Sequence, residues 1–250
     1  MKNTIVFIAA SALWASASAG NVQIQVLDRD GKPVPEAVVV VYPSTTGGTP
    51  PSLLQANPTI EQERMRFLPA VTVVEPGATV RFTNQDRWDH HVRGAAAGLS
   101  AAAGNANTGF ELRLAGKADG KPANSTEVKL DTPGVVLLSC HLHGSMRGHV
   151  FVTDSGWTLK TDADGIARFP GVPDGAAQVR VWHAEQLIDL PRKALNVVPG
   201  PVLTMVQLSV VPRVRRAPPA GPAPSNAPGG PMGGYSQGPA AHGELVAHRH

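Results

Sequence analysis

Between Asn21 and Val210 the chain reads as one short strand after another, several of them closed by turn signals. Val22, Ile24 and Val26 alternate with Gln23 and Gln25, the period of a half-buried strand, and Asp30-Gly31 then turns the chain. Ala37 to Tyr42 is a second strand. Further strands are expected over Val71 to Val74, Thr79 to Thr83, Glu127 to Leu130, Val135 to Cys140, Gly148 to Thr153, Trp157 to Lys160, Ile166 to Phe169, Gln178 to His183 and Val202 to Val210. Pro76-Gly77, Pro133-Gly134, Asp164-Gly165 and Asp174-Gly175 separate several of them. The composition agrees: 26 Gly and 23 Pro against 6 Phe, 2 Tyr and 4 Trp favour an all-β protein over a helical bundle. Such an inventory suits β-sandwiches. Thr45 to Pro58 and the Ala/Gly-rich Gly94 to Gly109 read as loops, the latter with room for a short helix around Ala95 to Ala103.

The two ends differ from this middle. Lys2, the apolar run Ile5 to Trp14 and the small residues Ala15 to Ala19, with an A-x-A site at Ala17 and Ala19, describe a secretory signal peptide over residues 1–19, cleaved after Ala19. Its apolar run is shorter than the about 20 residues of a spanning helix, and no later segment comes closer. The mature chain is therefore expected to be periplasmic, without a membrane span. Residues 212–250 hold 8 Pro and 7 Gly in 39 positions, which marks a disordered tail. Its His242, His248 and His250 offer weak metal donors, but with no fixed geometry behind them they read as incidental imidazoles.

A formal net charge of +3, with no block of like charges, argues against a nucleic-acid binder. The single cysteine, Cys140, excludes an internal disulfide, a CxxC redox pair, a four-thiolate zinc site and clusters that need several cysteines. A free thiol in an oxidising compartment needs protection by burial or by metal.

Cys140 opens the segment Cys-His-Leu-His-Gly-Ser-Met, directly after the strand Val135 to Ser139. Cys140-x2-His143-x2-Met146 can turn a thiolate, an imidazole and a thioether toward one point, a donor set suited to copper rather than calcium, magnesium or zinc. A second imidazole comes from Asn84 to Val92, which holds the adjacent His90 and His91 after the strand Thr79 to Thr83. Two His, one Cys and a weak axial Met make a blue-copper electron-transfer site.

The pairing of N-x5-H-x-V with P-G-x5-C-x2-H-x2-M-x-G resembles the cupredoxins, most closely amicyanin and the methylamine-utilisation-type plastocyanin-like proteins. The resemblance implies a Greek-key β-sandwich over residues 59–154 with one type 1 copper ion at one end, held by His90, Cys140, His143 and Met146. Where the family usually has Asn after the first His ligand, this chain has His91. The resemblance also implies one-electron transfer without catalysis on a substrate, to a redox partner protein in the periplasm, with His143 at the exposed edge where electrons pass. A second reading is a periplasmic copper carrier that delivers metal. A third is hydrolysis by Cys140 with His143 or His141 as base, in which Met146 and the upstream histidines have no role. His141 and His149 fall outside the ligand pattern, His183 reads as structural, and Trp88 suits either shielding of the site or plain packing.

The flanks carry a second resemblance. Val26 to Val40, with Asp30-Gly31 and Pro33, is similar to the opening of a carboxypeptidase-regulatory-like β-sandwich, and Thr161 to Phe169, Val172 to Gly175 and Val179 to Val181 are similar to its closing half. Residues 20–58 and 155–211 are accordingly expected to form one discontinuous sandwich, with the copper domain inserted between its halves. A lone opening hairpin would be only marginally stable in water.

Overall fold

The structure is a computed structural model and describes residues 19–51, 54–98, 109–186 and 188–213. The expected signal peptide up to residue 18, the Ala/Gly stretch 99–108 and the tail beyond residue 213, with its three histidines, lie outside the described residues. Those described are all-β, in sixteen strands. In chain order the first eight are β1 (Ala19–Leu27), β2 (Val38–Pro43), β3 (Thr59–Glu63), β4 (Arg66–Leu68), β5 (Val71–Val74), β6 (Ala78–Asn84), β7 (His90–Ala97) and β8 (Phe110–Leu114). The rest are β9 (Asn124–Leu130), β10 (Gly134–Cys140), β11 (Arg147–Val152), β12 (Thr158–Lys160), β13 (Ile166–Pro173), β14 (Gly175–Trp182), β15 (Lys193–Val197) and β16 (Gly200–Gln207). No helix among the described residues is long and apolar enough to cross a membrane.

Two sheets enclose the central core. One has the order β4-β3-β6-β9 and the other β5-β11-β10-β7-β8. Ile60, Phe67, Val80 and Phe82 from the first meet Val92, Val136, Leu138 and Val150 from the second. Strand periodicity decides which residues take part: along β10, Val136, Leu138 and Cys140 are buried, and along β7, His90, Val92 and Gly94. The Asn84 to Val92 segment and the Val135 to Cys140 strand thus deliver their chemistry-bearing residues to the inside of one sandwich.

β7 continues through Ala97, and Ala95 to Ala97 lie opposite Leu137 to Val135 of β10. This corrects the expectation of a loop or short helix there. Pairing with an apolar central strand outweighs the modest helix preference of three alanines.

The flanking strands form a second pair of sheets, β13-β1-β16 and β12-β2-β14-β15. β1 runs antiparallel to β13 and parallel to β16, and β2 lies between β12 and β14. Val22, Ile24, Val26 and Phe169 pack against Val39, Val41, Val179 and Val181. The turn at Asp164-Gly165 needs its glycine: φ is +70°, and a Cβ would lie 2.7 Å from the Val26 carbonyl oxygen. In β2 the unbroken run Val38 to Val41 is buried on both faces. Val39 and Val41 face the flanking core, while Val38 and Val40 join Trp182, Val71, Val135 and Phe151 in a third apolar cluster. That cluster packs the flanking strands β2 and β14 against β5, β10 and β11.

Candidate metal centre

β7 begins at His90 and β10 ends at Cys140, and the two strands are antiparallel neighbours with Cys140 opposite Val92. Both side chains point inward, 1% and 3% exposed. The chain leaves β10 in a short turn in which the Met146 N–H donates to the His143 carbonyl at 2.9 Å, which brings the half-buried His143 back over the end of the strand. The Cys140 Sγ lies 3.6 Å from His90 Nδ1 and 3.4 Å from His143 Nδ1, and the two nitrogens are 3.1 Å apart. Met146 is 1% exposed and belongs to the same apolar cluster as Cys140.

These separations fit a shared metal. Donor atoms each about 2.0–2.3 Å from one ion lie about 3–4 Å from one another. Two nitrogens and a sulfur at such distances in a buried pocket have no comparable purpose as a hydrogen-bond network, since at most one proton can sit between any pair. One soft sulfur and two imidazoles suit copper, and Met146, buried in the same apolar cluster as Cys140, would be its weak further donor.

The support for His90 starts one turn earlier in the chain. Its Nε2 lies 2.9 Å from Oδ2 of buried Asp86, and because a carboxylate only accepts, the ring proton sits on Nε2 and leaves the Nδ1 lone pair facing Cys140. Asp86 also accepts the Arg64 N–H at 2.6 Å and the Met65 N–H at 3.0 Å. Arg64 and Met65 both have positive φ, 51° and 56°, the conformation that turns their consecutive amides toward one carboxylate. Asn84, fully buried, accepts the Asp86 N–H at 2.9 Å and donates to the carbonyls of Trp88, Leu114 and Ala115. The loop before His90 is therefore tied to β8 and to the β3–β4 turn.

Of the histidines and other residues singled out in the sequence, the structure brings His90, Cys140 and His143 to one point and buries Met146 in the apolar cluster that holds Cys140. His91 faces the other side of β7, with its Nε2 3.5 Å from Glu111. His141 packs against His91, His149 against Trp182, and the His183 Nδ1 accepts the Glu185 N–H. Trp88 is 44% exposed, and its backbone carbonyl is what the Asn84 side chain holds. Sequence reasoning missed Asp86. The available signal was an acidic residue four positions before the first ligand, but nothing in the sequence alone shows that a carboxylate there folds inward.

A cysteine sulfur and two imidazoles gathered at one end of a β-sandwich make a copper-binding arrangement. Residues 54–153 match the family model of copper binding proteins, plastocyanin/azurin family, and this part of the chain is a cupredoxin domain. Among solved structures, the chain is similar to amicyanin from Paracoccus versutus (Thiobacillus versutus) at 20% identity, covering 41% of this chain and 84% of that one, with a TM-score of 0.31. A mutant amicyanin in its reduced Cu(I) form at pH 4 matches at 18% identity over 47% of this chain and 99% of that one, also with a TM-score of 0.31. No curated protein matches the chain.

Proposed function

We propose that the protein is an exported type 1 copper protein of the periplasm that passes single electrons between redox proteins and catalyses no reaction on a substrate. The observation that carries this reading is the convergence of the Cys140 Sγ and the Nδ1 atoms of His90 and His143 inside an apolar core that also buries Met146. His90, Cys140 and His143 would hold the copper, with Met146 as a weak further donor. Bound copper supplies a Cu(II)/Cu(I) couple that accepts and returns one electron.

The protein's own part is to hold the donors still. Cys140 and His90 sit on paired strands, and Asp86 fixes the ring of His90, so the donor positions need change little with oxidation state. Burial of Cys140 protects the thiol from oxidation and keeps water from the donors. His143, half-buried and flanked by the exposed Leu142 and Gly144, is the donor nearest to solvent and the proposed port for a partner protein. Such rigid, buried ligation favours electron exchange over metal delivery, which needs ligands that open. The organisation that goes with this reading is a signal peptide over 1–19, a carboxypeptidase-regulatory-like sandwich from 20–58 and 155–211, the copper domain at 59–154 and the tail at 212–250. Pairing of β1 with β13 and β16 supports the discontinuous sandwich.

The deciding experiment is the optical and EPR spectrum of the copper-loaded protein. An intense thiolate-to-copper charge-transfer band with narrow hyperfine splitting is expected. A colourless, tetragonal Cu(II) spectrum from folded protein refutes the proposal.

A further inference from the structure

Two sheet edges line one cleft between the flanking strands and the copper domain. β5 pairs only with β11 and β12 only with β2, so each ends its sheet among the described residues. Both strands line the same cleft, of about 560 Å³, together with Pro58, Thr59 and Glu36, and none of the copper donors takes part.

Strand alternation fixes which backbone groups those edges leave open. The His149 and Thr153 N–H groups donate to the Ala70 and Val74 carbonyls, which turns the backbone of Val71 and Val73 away from β11. The Val71 carbonyl accordingly meets the cleft's other wall, where the Lys160 Nζ lies 3.5 Å from it. On that wall the Val41 N–H donates to the Trp157 carbonyl and the Thr161 N–H to the Ala37 carbonyl, so the backbone of Thr158 and Lys160 faces away from β2. A lysine laid over a sheet edge keeps further strands off. Lys160 is also paired with Glu36 at 2.5 Å, so it can give up the Val71 carbonyl without leaving its charge alone.

We propose that this cleft is a docking groove for an extended segment of a partner protein, which adds as a strand to the open edge of β5 with β12 as the opposite wall. Its volume suits a small ligand as well. Open main-chain groups on both walls favour a peptide, whose own N–H and C=O groups complement them. β5 is four residues long, about 13 Å at the rise of a strand, and sets the length of the paired part. The apolar Pro58, Val71, Val73 and Leu159 call for apolar side chains at the alternate positions that face inward, and the paired amides exclude proline there. Lys160 is the gate that a docking strand displaces.

The test uses full-length, copper-loaded protein and a phage-displayed library of random heptapeptides, with enriched peptides synthesised and their binding measured by calorimetry. Apolar residues at alternating positions are expected. N-methylation of alternate amides is expected to weaken binding about threefold to tenfold per methyl, the worth of one hydrogen bond, while the amides between tolerate it. Lys160→Met, which uncovers the Val71 carbonyl, is expected to tighten binding, and Thr59→Trp, at an exposed position of the lining, to abolish it. Unchanged circular dichroism and thermal midpoint show that each variant is folded. A library that yields no peptide above background overturns the proposal, as do peptides that bind the parent and Thr59→Trp alike. Binding that tolerates a methyl at every amide reveals a side-chain pocket for a small ligand in place of strand pairing, and overturns it too.

Discussion

The Asp86 carboxylate and the His90 imidazole meet at 2.9 Å on the side of the ring that faces away from Cys140, so one carboxylate decides which nitrogen of His90 is free for metal. The same carboxylate takes the Arg64 and Met65 amides, and so couples the β3–β4 turn to the copper centre. Asp86→Ala leaves those amides without an acceptor and the ring without its anchor. Copper affinity, measured by competition with a chelator, is expected to fall about 10–100-fold. Folding stability is expected to drop by about 1–3 kcal/mol, the cost of a buried group left unsatisfied. An unchanged copper affinity would mean that strand pairing alone orients His90.

Substitutions at the donors themselves separate ligand from neighbour. Cys140→Ser keeps the size of the side chain but loses the thiolate, and is expected to abolish the charge-transfer colour while leaving thermal stability of the metal-free protein nearly intact. His90→Ala is expected to lose the colour or to open the site to water. His91→Asn, on the outer face, is expected to keep the colour. Absorption spectra of the three copper-loaded variants read all of these, and colour lost with His91→Asn but kept with His90→Ala moves the ligand by one residue.

The donors were legible because their spacing is local: Cys140, His143 and Met146 lie on one turn, and the Asn84 to His90 spacing is short. Strands with strong alternation, such as Val22 to Val26, or with an unbroken valine run, such as Val38 to Val41, were legible for the same reason. β3, β4, β8 and β15 were not. Thr59–Glu63 and Arg66–Leu68 are polar and short, and pair through contacts with β6 and with each other that have no local signature. Ala95 to Ala97 became strand only because β10 lies beside them. Asp86 belongs to the same class: its role depends on a turn 22 residues earlier in the chain.

Trp182 packs its ring against His149, at 5.2 Å between centres, and against Phe151 at 5.6 Å, and so joins β14 of the flanking sheets to β11 of the copper domain. It is 6% exposed and sits in the third apolar cluster with Val38, Val40 and Val71. Trp182→Ala is expected to cost about 3–5 kcal/mol, as for other buried aromatic truncations. Because the loss falls on the contact between the two pairs of sheets, calorimetry of the copper-loaded variant is expected to show two separated transitions where the parent shows one. A single transition, merely shifted, would place the loss inside one core.

Tyr42 gives the clearest pH dependence. Burial raises the pKa of its phenol above the ordinary value, and the hydrogen bond that its hydroxyl donates to Asp154, at 2.7 Å, together with the charge of that carboxylate, raises it further. The nearby guanidiniums of Arg192 and Arg180 oppose the shift without cancelling it. A pKa raised in the folded state means that the folded protein holds this proton more tightly than the unfolded chain. The stabilisation is thus fully present below about pH 10, where an unfolded tyrosine begins to ionise, and is lost as pH rises through the higher folded value. In a spectrophotometric titration at tyrosinate absorption, the chain's 2 tyrosines are expected to ionise in separate steps, and Tyr42→Phe is expected to remove the later one. Asp154→Asn withdraws the carboxylate's charge, so it is expected to move the later step back toward the ordinary value without abolishing it. A late step that survives Tyr42→Phe would assign it to the other tyrosine.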